Sequence, residues 1–213
     1  GRPYIVMPLL RGETLGRLLS RGRIPQTIAL GFFENVAEAL VELHGAGLVH
    51  RDVKPENVFV TDGRAVLLDL GIAREIGAAD STTTQAGMVR GTPQYMAPER
   101  FFGRPAGIPT DVYELGALLY AMLTGRLPWS GADDAQGRMN PMSPARAGVL
   151  VPEQLSAALM RALSFSPEAR PASVRAFLLE VRGSVRDSQR HLGEASTTLA
   201  QHATPSAFGT STN

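Results

Sequence analysis

Apolar positions along the chain fall into five helical stripes and one hairpin, with a long polar stretch between residues 71 and 97. Leu15, Leu18 and Leu19 predict a short amphipathic helix ending near Gly22. Between Pro25 and Gly45, Ile28, Phe32, Val36, Leu40 and Leu43 recur every three or four residues, which gives a long helix one apolar face. Pro25 suits its first turn and Gly45 and Gly47 its end. Val112, Leu115, Leu118, Leu119, Met122 and Leu123 surround most of a helix opened by Thr110 or Asp111 as cap, and a helix apolar nearly all round is buried. Gly125 ends it. Leu155, Leu159 and Leu163 follow Pro152 in another stripe, and Val174, Phe177, Leu178 and Val181 line a last one.

The strand signals are shorter. Tyr4-Ile5-Val6-Met7 is a β-branched and aromatic run broken by Pro8, and Leu48-Val49 reads as a two-residue strand. Val58-Phe59-Val60 and Ala65-Val66-Leu67-Leu68 flank Asp62-Gly63, a strong hairpin signal. Residues 71–97 are rich in Ser, Thr, Gly and Ala without an apolar period, and a loop of that length inside a compact domain is usually functional. Residues 130–151 read as a Gly/Pro-broken loop with at most one short helix, and residues 183–213 as a flexible Ser/Thr/Ala-rich linker or tail.

Composition narrows the class only modestly. At 213 residues and 44% hydrophobic the chain can bury a real core. A formal net charge of +1 gives no basic surplus for nucleic acid, and the absence of cysteine excludes a disulfide framework and a thiolate metal site. No apolar run reaches the length of a membrane span. The chain opens with Gly rather than Met, which the reading takes as a sign of a longer parent protein.

The chemistry concentrates in His50-Arg51-Asp52-Val53-Lys54-Pro55-Glu56-Asn57. Asp52 can take a proton from a hydroxyl, Lys54 can sit against phosphate oxygens, and Asn57 can offer an amide oxygen to a metal. Asp69-Leu70-Gly71 follows, so the hairpin carries Asn57 at its entrance and Asp69 at its exit. Further on come Gly91-Thr92-Pro93-Gln94-Tyr95-Met96-Ala97-Pro98-Glu99, Asp111 through Gly116, and Arg170. Together these resemble the catalytic loop, metal-binding triplet, end of the activation segment and central helix of eukaryotic-type protein kinases, most strongly the bacterial serine/threonine kinases. The resemblance covers residues 4 to about 182.

That resemblance implies a mainly α fold with a small β-hairpin: residues 1–12 as the last small-lobe strand and hinge, 13–182 as the kinase large lobe. It implies transfer of the ATP γ-phosphoryl group to protein Ser/Thr hydroxyls, with Asp52 and Lys54 catalytic. Asn57 and Asp69 would hold Mg²⁺, with Mn²⁺ as a substitute. Met7, Pro8, Leu10, Thr14 and Phe59 would line the nucleotide site, Thr14 near the ribose. Lys54 and Thr92 favour Ser/Thr acceptors, and Thr84 is the implied activating phosphosite. Arg51 reads as an unpaired cation facing the activation segment, where a phosphothreonine would bring roughly −1.5 to −2 charge. Glu99 should pair with Arg170, and Asp111 should accept backbone N–H groups of the catalytic loop. Protein substrates are implied, with a kinase–kinase dimer for autophosphorylation and no nucleic acid. The implied location is cytoplasmic, as a free domain or as the cytoplasmic part of a membrane-anchored kinase.

The departures from the family pattern are specific. The glycine-rich loop, the strand lysine and its helix glutamate are absent from these residues, so the isolated chain is expected to transfer phosphate very weakly or not at all. The metal triplet has Leu70 in place of phenylalanine, and Glu114 stands where a small residue is usual. A catalytically inactive binding or scaffold module is the alternative. The full set Asp52, Lys54, Asn57 and Asp69 favours the enzyme.

Overall fold

The structure, a computed structural model, describes residues 9–68, 74–75, 93–131 and 135–187. The expectations for Tyr4 to Met7, Pro8, Asp69, Thr84, Thr92 and the tail beyond residue 187 lie outside them.

The chain enters through β1 (Glu13–Thr14) and α1 (Leu15–Leu19), then runs along α2 (Gln26–Gly45) to β2 (Leu48–Val49). A 3-10 turn over Pro55–Asn57 leads into the hairpin of β3 (Val58–Thr61) and β4 (Arg64–Leu67). β5 (Arg74–Glu75) returns to pair antiparallel with β2. Then follow α3 (Pro98–Phe101), α4 (Ile108–Thr124), α5 (Ala135–Met139), α6 (Glu153–Ala162) and α7 over 174–187. It is a helix-rich lobe with a small antiparallel sheet, as the apolar pattern predicts. Asp62 and Gly63 take φ of 49° and 74°, the two left-handed positions of a tight hairpin turn. β1 adds a third strand, pairing Thr14 with Phe59, in the order β1-β3-β4.

The core is built around α4, whose residues from Thr110 to Leu123 are all buried. α2 packs on it and on the hairpin, and α6 packs on it as well. Three expectations need correction. The buried face of α2 is carried by Ala29, Phe32, Phe33, Val36, Ala37 and Leu40, whereas Ile28 is 47% exposed. The drift of an α-helix puts position 29, not 28, in line with 33, 36 and 40. Thr110 and Asp111 do not cap α4: it begins at Ile108, and Thr110 Oγ1 reaches back to accept Gly107 N at 2.9 Å. The last helix continues through residue 187, past the expected tail boundary at 183, because Ser184 is buried and Val185 packs against the core.

Glu99 of α3 and Arg170 make a bidentate pair, with contacts of 2.9 Å (Nη1–Oε1) and 2.8 Å (Nη2–Oε2). The other guanidinium N–H groups go to the carbonyls of Ser164, Pro109 and Phe165, so all five donors are used. Thr110 Oγ1 also donates to Glu99 Oε1 at 2.8 Å. Burial pushes the Glu99 carboxyl up, but the bonds and charge of Arg170 outweigh it and hold the group below its ordinary range. Arg170→Leu or Glu99→Ala should each cost about 3–5 kcal/mol in urea denaturation, because each strands a buried charge. A loss below about 1 kcal/mol, the scale of a surface pair, would contradict this burial.

Candidate active site

Residues 50–57 pass beneath α4, and almost every backbone N–H of their first half has an assigned acceptor. Asp111 Oδ2 takes His50 N at 2.9 Å and Oδ1 takes Arg51 N at 2.7 Å. Asp52 N bonds His50 Nδ1 at 3.3 Å, and Val53 N bonds Glu114 Oε2 at 2.9 Å. His44, one residue before the end of α2, adds its Nε2 to Asp111 Oδ2 at 2.8 Å. Arg51 sits at φ 68°, a left-handed conformation that costs a non-glycine residue roughly 1–2 kcal/mol. The bonds on either side of it hold that shape. Arg51 is 6% exposed and is not without a partner, so the expectation of an unpaired cation does not hold; its carbonyl accepts from Arg100 Nη1.

With the backbone fixed, three side chains converge. Lys54 Nζ lies 2.6 Å from Asp52 Oδ2, and Asn57 Nδ2 donates to Asp52 Oδ2 at 2.9 Å and to its carbonyl at 2.8 Å. Both N–H groups of Asn57 are thereby spent on Asp52, and its amide oxygen has no hydrogen-bond partner among the described residues. Leu68 N bonds Asn57 O at 2.8 Å, and Leu68 O bonds His50 Nε2 at 3.1 Å. One histidine tautomer serves both of its bonds, Nδ1 accepting and Nε2 donating. The exit of the hairpin is thus tied to its entrance, immediately before Asp69.

Thr14 and Phe59 face each other across β1 and β3, and Leu10 lies half-buried just before them. Thr14 Oγ1 also caps α1, accepting Arg17 N at 3.4 Å. Gly12 brings this strip against β3: a Cβ there would stand 1.9 Å from Val60 O and 3.1 Å from Phe59 Cε1.

The segment before α3 is clamped by a residue that the sequence pattern did not single out. Arg138 of α5 is buried with its guanidinium over Phe101 (4.4 Å) and Trp129 (4.6 Å). It donates to the carbonyls of Gln94 (3.1 Å) and Met96 (3.4 Å). A lone arginine in a Gly/Pro-broken stretch gives no periodic signal. His44 and Arg100 were also missed; their partners are, respectively, a residue far along the chain and a backbone carbonyl.

The protein kinase domain family matches residues 2–175. The chain belongs to the protein kinase family. It is 35% identical over 214 residues to the serine/threonine-protein kinase PknB of Mycolicibacterium smegmatis, covering 95% of this chain and 34% of that protein. It is 45% identical over 130 residues to the serine/threonine-protein kinase PknA of Mycobacterium tuberculosis, covering 60% of this chain and 30% of that protein. With the serine/threonine-protein kinase pkn3 of Myxococcus xanthus it shares 34% over 211 residues, 89% of this chain and 38% of that protein. The chain therefore spans about a third of the length of these curated relatives. Kinases of this family use ATP and a divalent metal and act on proteins. Among the described residues no three His, Asp or Glu side chains gather as a metal cluster, and no helix is long and apolar enough to cross a membrane.

Glu114, the departure noted in the sequence, is 1% exposed. Burial pushes its carboxyl from the ordinary 4.5 up to about 8; Arg100 and the Val53 N–H pull it down, Asp111 and Asp52 push it up. Between those values the folded protein holds a proton that the unfolded chain has released, so stability falls as pH rises through the window. Relative to Glu114→Gln, the wild type should lose up to about 1.4 kcal/mol per pH unit from about pH 5 to about pH 8. Chemical denaturation of both proteins across that range checks it, and parallel stability curves would contradict it.

Proposed function

We propose that this chain carries the large-lobe part of a serine/threonine protein kinase active site. The observation that supports it is the convergence of Lys54 and Asn57 on one oxygen of Asp52, at 2.6 and 2.9 Å. A general base must be oriented toward its proton, and phosphoryl transfer asks the protein mainly for positioning and charge stabilisation. The acceptor Ser/Thr hydroxyl bonds to Asp52. As its oxygen forms the bond to the γ-phosphorus, the bond from that phosphorus to the β–γ bridging oxygen breaks and ADP leaves. The hydroxyl proton passes to Asp52, and the Lys54 ammonium stands beside the phosphoryl oxygens.

Asn57 and Asp69 would hold Mg²⁺, and their oxygen donors fit a hard cation. When bound, that ion neutralises phosphate charge. Leu10, Thr14 and Phe59, with Met7 and Pro8, would take the adenosine part of ATP. Thr84 remains the proposed regulatory phosphosite and Thr92 the residue beside the acceptor. A buried Arg51 acts in this reading through the shape of its backbone rather than as an exposed phosphate receptor. Autophosphorylation between two copies, a cytoplasmic site of action and protein Ser/Thr substrates complete the proposal.

Asp52→Asn in the full-length protein tests it. The amide cannot take the proton, so turnover should fall by at least about 100-fold, with the fold and the KM for Mg-ATP near those of the wild type. Near wild-type turnover in a radiolabel transfer assay would remove Asp52 from the role given to it.

A further inference from the structure

We infer that Glu114 and Arg100 form a positioning pair that sets the Asp52–Lys54 backbone for phosphoryl transfer and links it to the start of α3. The inference rests on the kinase reading and goes beyond it, since neither residue belongs to the set that contacts ATP, metal or acceptor.

Asp111 and Glu114 lie one turn apart on α4, so both acidic side chains project toward the same loop. Asp111 holds the two amides before Asp52, and Glu114 holds the amide after it. Asp52 is therefore bracketed, with its own N–H on His50. A small side chain at position 114 has no atom to reach Val53 N. The second oxygen of Glu114 faces Arg100 Nη1 at 3.3 Å, and the same nitrogen donates to the carbonyl of Arg51. Arg51 is the residue held in the left-handed conformation, and its carbonyl is the one that Arg100 of α3 reaches. Arg100 is the immediate neighbour of Glu99, which Arg170 anchors in the core. A displacement of α3 would pull on Arg51 O and, through Glu114, on Val53 N, on both sides of Asp52.

The pair is tested in the full-length protein by kcat, the KM for Mg-ATP, melting temperature and amide hydrogen exchange at Val53. Glu114→Ala should lower kcat roughly 10- to 100-fold, the effect of a small misplacement of a catalytic group, with KM changed less than about twofold. Val53 N–H should exchange about tenfold faster, the loss of one hydrogen bond. Glu114→Gln keeps an acceptor for Val53 but turns an N–H toward Arg100, so exchange should return to the wild-type rate while kcat should lie between those of Glu114→Ala and the wild type. Arg100→Met, at a partly exposed side chain, should lower kcat about tenfold, and combined with Glu114→Ala should add less than about twofold, because the two act as a unit. Wild-type kcat in Glu114→Ala, a loss confined to KM, additive losses, or Glu114→Gln as impaired as Glu114→Ala would each overturn it. Should Glu114→Ala not fold, Glu114→Gln and Arg100→Met decide by the same criteria. If the wild type transfers no phosphate, the kinase reading fails by itself. Val53 exchange then still separates the outcomes: faster in Ala and not in Gln supports the backbone clamp, and no change overturns it.

Discussion

Asp111 carries a carboxylate into the middle of the fold, on a helix buried all round. A carboxylate there is tolerable only with its lone pairs filled, and the donors that fill them are His44 and two consecutive backbone amides, His50 and Arg51. That requirement fixes where the loop must run. It also supports the left-handed Arg51, since relaxing that residue would withdraw an amide from a buried charge. The loop that carries Asp52 is thus bound to the most deeply packed element of the lobe.

The same device recurs around α3. Glu99 is pinned by Arg170, whose every N–H is used, and Arg138 threads its guanidinium between Phe101 and Trp129 to hold the carbonyls of Gln94 and Met96. Each cation reaches backbone carbonyls as well as, or instead of, a carboxylate. A planar guanidinium with several fixed donors suits that task better than an ammonium would. The segment from residue 93 is therefore fixed at its carbonyls, at its acid and, through Arg100, at the loop over residues 50–57. The proposed phosphoryl transfer depends on positioning, and this rigidity is what the helical lobe would contribute to it.

Much of this was legible in the sequence where the signal is local. The hairpin follows from Asp62-Gly63 between β-branched runs, and the burial of α4 from apolar residues on all its sides. The motif residues were readable only through resemblance to a family. What escaped was non-local or silent. Ala29 and Ala37 carry the buried face of α2, but alanine weighs little in an apolar pattern, so Ile28 was preferred. Gly107 hides the start of α4, since the bond that closes its first turn comes back from Thr110. Ser184 looks like tail, yet its hydroxyl bonds Val181 O inside the last helix. Glu114 had no visible reason because its partner, the Val53 amide, leaves no mark in a sequence.

The central claim is that the Asp52 loop is as firmly held as the core helix that clamps it. Native-state hydrogen exchange at the His50 and Arg51 amides, compared with amides in the middle of α4, tests it most directly. The account predicts that both loop amides open only with a free energy close to that of global unfolding, as core amides do. Exchange through local opening, at rates like those of the loop over residues 140–150, would contradict it.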